Sequence, residues 1–121
     1  MADDTAPPSL QTVLDALDDP ECRALLQSLT ETPKQSVAAL ADSCALPRTS
    51  TYRKVNRLVD AGLIRSTTKV REDGHHTTVY VVSFEGMFIG LDDDGFTINV
   101  AHVESADERL ARFWDTMRDA R

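Results

Sequence analysis

Seven basic residues crowd into one short stretch of this chain: Arg48, Arg53, Lys54, Arg57, Arg65, Lys69 and Arg71. Asp60 is the only acid between Ala45 and Arg71, so that window carries +6. The whole chain carries −7, which leaves −13 for the remainder. A basic stripe on an acidic body is the footprint of a surface that meets a polyanion, and its placement says more than net charge. Arginine pairs bidentately with guanine, and asparagine with adenine. Serine and threonine suit phosphate or base edges. The stretch holds such types at Arg48, Thr49, Ser50, Arg53, Asn56 and Arg57, with Tyr52 among them. Lys69, Arg71, His75 and His76 extend the set toward a flanking backbone or minor groove.

Other residue groups promise less. His75 and His76 stand beside Glu72 and Asp73, but a metal needs more donors than a flexible turn holds in place. Asp92, Asp93 and Asp94 are consecutive, whereas a calcium loop wants acids at alternate positions and a distant Glu. Cys22 and Cys44 are too few for a disulfide scaffold or a four-ligand zinc site, and no CxxC occurs. A reducing, cytoplasmic setting is therefore the default. Each cysteine sits in an apolar helical stripe, where a free thiol packs as a small hydrophobe. A thiol-responsive switch is the lesser alternative. No Ser-His-Asp arrangement, glycine-rich phosphate loop or HExxH appears, so no enzyme activity and no cofactor are expected.

The elements that must position the basic stretch can be read from periodicity. Ser9 caps a helix whose stripe is Leu10, Val13, Leu14 and Leu17. Asp19 and Pro20 open a second, with Cys22, Leu25, Leu26 and Leu29. Thr30 to Lys34 reads as a loop. A short third helix covers Ser36 to Cys44, and Ala45-Leu46-Pro47 makes a turn. The fourth helix runs from about Arg48 to Ala61, with Thr51, Val55 and Leu58 inward and Gly62 at its end. Leu63 to Val70 and His76 to Val82 read as strands about an Asp73-Gly74 turn. A second hairpin follows, Met87 to Leu91 and Phe96 to Val103, turning at Asp92 to Gly95. Ser105 to Glu108 is a capping box for a last helix with Leu110, Phe113, Trp114 and Met117 in a stripe. The expected organisation is a tail over 1–8, a winged helix-turn-helix over 9–83, and a second hairpin with a dimerisation helix over 84–121. The fold class is α+β and mainly helical. No run of 18 apolar residues suggests a membrane span. The first eight residues hold two acids and no base, unlike a signal peptide.

The run SVAALADSCALPRTSTYRKVNRLVDAGLI, Ser36 to Ile64, resembles the helix-turn-helix of the ArsR and TrmB-like winged-helix regulators of bacteria and archaea. SVAALAD matches the first helix of the motif, PRTSTYRKVNRL the recognition helix, and DAGLI the passage into the wing. The likeness spans about residues 10 to 83, and nothing comparable covers 84 to 121. It implies that Arg48, Thr49, Ser50, Tyr52, Arg53, Asn56 and Arg57 form the exposed face of the recognition helix, with Arg57 expected on a phosphate. It also implies a homodimer on double-stranded DNA at a near-palindromic site, often as a repressor. The dimer surface would draw on Leu10, Val13 and Leu14 and on Leu110, Phe113, Trp114 and Met117. Two recognition helices would then sit roughly 34 Å apart, one DNA turn. The CxC of metal-sensing ArsR regulators is missing, and His102 falls before the last helix, so that family's Asp, His and Glu site does not carry over. No effector ligand follows from the sequence. The bias of 14 Asp over 6 Glu and 10 Arg over 3 Lys is similar to that of proteins from salt-loving archaea. The competing expectation is a protein-interaction winged helix that grips a partner with the second hairpin and last helix.

Overall fold

A computed structural model describes residues 8–102 of the chain. Its helices are α1 (Leu10–Asp18), α2 (Pro20–Glu31), α3 (Val37–Cys44) and α4 (Arg48–Asp60). Strands β1 (Ile64–Val70), β2 (His76–Val82), β3 (Phe84–Asp92) and β4 (Gly95–His102) follow. Three helix starts are held by side chains that accept orphan backbone N–H groups. Ser9 accepts from Thr12 at 3.1 Å, Asp19 from Glu21 at 2.9 Å and Ser36 from Ala39 at 3.1 Å. Helix α4 begins after Pro47 without such a cap. There Thr51, fully buried, donates its hydroxyl to the Pro47 carbonyl at 2.9 Å.

The helices close on one core. Val13 and Ala16 of α1, Leu25 and Leu29 of α2, Leu40 of α3, and Val55 and Leu58 of α4 are all buried. The α3–α4 turn is made by Ala45 in the left-handed region at φ 56, and the Leu46 N–H returns to the Ala41 carbonyl at 2.9 Å. That conformation is costly for any residue with a Cβ. Gly62, φ +74, ends α4, and the Leu63 N–H donates to the Leu58 carbonyl at 3.0 Å. Strands β1 and β2 pair antiparallel from Ile64↔Val82 to Val70↔His76 and form the wing. Strands β3 and β4 form a separate antiparallel hairpin, with Met87, Ile98 and Val100 resting on the core. The described residues form a winged helix-turn-helix of four helices with an added arm.

Several sequence expectations need adjustment. The connection expected over Thr30 to Lys34 is shorter, because α2 continues to Glu31. It also ends in sheet structure: Gln35 pairs with Tyr80, the Tyr80 N–H donating to Gln35 at 2.9 Å. The arm is longer than its alternating core, beginning at Phe84 and turning on Asp93 and Asp94 alone. The Asp92 carboxylate accepts the Asp94 N–H at 2.8 Å and tightens that turn. Val13, expected at a dimer surface, is fully buried in the chain's own core and has no area left for a partner. Leu14 keeps 39% of its surface exposed, and Leu10 is half-buried. The expected last helix, with Leu110, Phe113, Trp114 and Met117, lies outside the described residues.

Candidate nucleic-acid interface

Helix α4 divides its residues among three faces. Thr51, Val55 and Leu58, at i, i+4 and i+7, are buried and fix its rotation. Arg48, Thr49, Tyr52, Arg53 and Asn56 are exposed on the opposite side, Tyr52 by 59%. Ser50 is half-buried. The third face, Lys54 and Arg57, turns back to the protein and meets Asp19. The Lys54 ammonium hydrogen-bonds the Asp19 carboxylate and lies 3.6 Å from Glu21. Arg57 Nη1 donates to the same Asp19 oxygen at 3.2 Å. Asp19 is only 11% exposed. The Lys54 hydrogen bond holds its carboxyl below the usual carboxylate range, against the opposing effect of burial. The same bond raises the Lys54 ammonium. One acid thus serves as N-cap of α2 and as counter-ion for two cations of α4.

This placement sorts the basic stretch. Arg57, expected on a phosphate, is committed first to Asp19. Arg53, Asn56 and Arg57 also share a depression with the acids Asp15 and Asp60, toward the end of the helix. Among the described residues, Arg48, Arg53, Arg65 and Lys69 form no ion pair.

Lys69, Arg71, His75 and His76 are exposed at the wing. Its loop is closed by the Arg71 N–H donating to His75 at 2.8 Å, with Gly74 at φ +86. Asp73 organises it: its carboxylate accepts the His75 N–H at 3.0 Å and lies 3.1 Å from His75 Nδ1. The backbone hydrogen bond from His75 holds the Asp73 carboxyl below its ordinary range. Arg71 approaches Asp73 only to 4.0 Å, with both side chains largely in solvent, a contact of little energy. Among the described residues no three His, Cys, Asp or Glu side chains come together to hold a metal.

Sequence reading missed what ties the wing to the helices. Gln35, 7% exposed, donates from Nε2 to the Ser28 and Thr32 carbonyls at 3.1 and 2.8 Å. Ser43 donates to its Oε1 at 3.4 Å, and Ser28 and Ser43 share a hydrogen bond of 2.9 Å. The end of α2, α3 and the wing strand are thereby fastened at one residue. A polar residue after Pro33 was the available signal, but a single bridging residue has no period to detect. Cys22 is fully buried, and burial pushes its thiol up to about 11. Cys44 is half-buried, its Sγ 3.7 Å from the Ala24 carbonyl.

An exposed polar helix with a basic wing, both mounted on a packed helical core, defines the winged helix-turn-helix class. Residues 17–67 match the family described as a helix-turn-helix domain. Among solved structures, a MarR family transcriptional regulator from Silicibacter pomeroyi is similar, with 18% identity and a TM-score of 0.50. The match covers 90% of this chain and 57% of that one, so this chain spans little more than half of its relative's length. No curated protein sequence matches. At that identity the likeness speaks to the fold. No helix among the described residues is long and apolar enough to cross a membrane.

Proposed function

We propose that this protein is a sequence-specific DNA-binding regulator of transcription that acts as a homodimer. Helix α4 enters the major groove, and the wing rests on the flanking backbone. The observation that carries this reading is the exposed face of Arg48, Thr49, Tyr52, Arg53 and Asn56, which the Asp19 pairing of Lys54 and Arg57 leaves unobstructed. A helix fits the major groove, and these side-chain types read base edges there. The matched helix-turn-helix family and the similar MarR regulator support the reading. The ArsR or TrmB-like affinity and a haloarchaeal source rest on the sequence likeness and the Asp and Arg bias. Leu10, Leu14 and the last helix remain the proposed dimer surface. The test is duplex binding measured against salt for wild type and Arg53→Ala. Steep salt dependence and a weakened variant support it, because phosphate contacts release counterions. A flat dependence with no loss in the variant rules it out.

One observation favours a second reading. The arm leaves Phe88, Leu91 and Phe96 about two-thirds exposed. Leu91 and Phe96 are register partners, on the face that carries Met87 and Val100 onto the core nearer its base. Such a surface suits a protein contact. A pull-down that recovers a stoichiometric protein partner and no DNA favours this interaction module over the regulator.

A further inference from the structure

Between the wing and the α2–α3 connection lies an open cleft of about 470 Å³. We propose that it binds a phosphate group through Lys34, Lys69 and Arg71, an inference that rests on the DNA-binding reading and adds to it a site away from α4. All three cations line the cleft, and no acid does. Strand alternation explains two of them. Thr67 faces Val79 and Lys69 faces Thr77 across the ladder, and Arg71 follows two residues further on the same side. Val79 is 2% exposed, so this face leaves the protein interior and continues outward over the first turn of α3.

Lys34 comes from the opposite wall, and its backbone is fixed there. Its N–H donates to the Tyr80 carbonyl at 3.1 Å, and the next residue is the bridging Gln35. Lys34 also holds φ +62, a conformation that glycine adopts without strain and lysine does not. Three cations around one opening repel one another, and an anion between them relieves that repulsion. Arg71's distant approach to Asp73 leaves its guanidinium available. Three ammonium and guanidinium groups around one opening suit a phosphate, which takes several charge-assisted hydrogen bonds at once. The phosphodiester of a DNA backbone and a free phosphate-bearing small molecule share that chemistry.

The experiment uses the full chain and the variants Lys34→Gln and Lys34→Arg. Lys34 is exposed, so neither change touches the core. Binding to a mixed-sequence duplex is measured between 50 and 200 mM salt. If the cleft holds a backbone phosphate, Lys34→Gln lowers the slope of log K against log[salt] by about 0.9. Over that fourfold range the salt-induced weakening then shrinks by about 3.5-fold, while Lys34→Arg retains the wild-type slope. In parallel, inorganic phosphate is titrated without DNA and the backbone amides of Gln35, Ser36 and Gly74 are followed by NMR. An unchanged duplex slope, with phosphate shifts that Lys34→Gln abolishes, assigns the cleft to a free phosphate group. An unchanged slope and no such shifts overturn the proposal. Failure of the wild type to bind any duplex defeats the DNA reading instead, and the phosphate titration still decides the cleft.

Discussion

Asp19 makes an unequal prediction about two arginines one helical turn apart. Arg53 points to solvent with no acidic partner among the described residues, whereas Arg57 lies 3.2 Å from the Asp19 carboxylate. If α4 meets DNA, Arg53→Gln removes a cation that neutralises a phosphate or reads a base. Arg57→Gln removes one that already shares the Asp19 carboxylate. Each lost phosphate contact lowers the slope of log K against log[salt] by about 0.9. Arg53→Gln is therefore expected to shift the slope by that amount if it contacts phosphate. If Arg53 reads guanine instead, the slope holds but discrimination falls by about 1–3 kcal/mol at one base pair. Arg57→Gln is expected to shift the slope by less than half as much. The assay is fluorescence anisotropy of a labelled duplex at four or more salt concentrations, after circular dichroism confirms equal helix content. Equal slope changes in the two variants, or a larger one for Arg57→Gln, would refute the reasoning that Asp19 withdraws Arg57 from the interface.

The core and the titrating groups give further expectations. Leu40→Ala empties a fully buried position between α3 and its neighbours and should cost about 2–5 kcal/mol in urea unfolding; a loss under about 1 kcal/mol would show that α3 is poorly packed. Thiol titration of the folded protein should find Cys44 reactive and Cys22 silent until denaturant is added, since Cys22 is buried with its thiol raised to about 11. Asp19→Asn keeps an N-cap of similar quality but removes the counter-ion. Because the folded Asp19 carboxyl is depressed, its stabilisation is present above the ordinary carboxylate range, about pH 4, and lost as pH falls through the lower folded value. The melting temperatures of wild type and Asp19→Asn should differ near pH 7 and converge as pH falls through the lowered Asp19 value. The raised Lys54 ammonium acts oppositely, its contribution fading only at strongly alkaline pH.

Local signals carried most of the fold into the sequence. Ser9, Asp19-Pro20 and Ser36 mark helix starts by their own chemistry, and Gly62 marks an end, so the helices were legible nearly to the residue. The exposed face of α4 followed from the 3.6-residue period once Thr51, Val55 and Leu58 were assigned inward. What escaped detection acts across distance. Asp19 lies 35 residues before Lys54 and 38 before Arg57, and no local pattern joins them. The Gln35 bridge is a single pairing without period. The α1 stripe was real, but periodicity shows only that a face is apolar, not whether the same chain covers it; Val13 turned out to be covered and Leu14 not. In the arm, Gly86 interrupts the alternation and hid the strand's start at Phe84.

Mapping backbone amide shifts on adding duplex DNA tests the central claim most directly. The account predicts that the largest changes fall on the exposed residues of α4 from Arg48 to Asn56 and on the wing around Lys69 to His76, with β3 and β4 nearly silent. Changes concentrated on the arm around Phe88 to Phe96, with α4 unmoved, would contradict it.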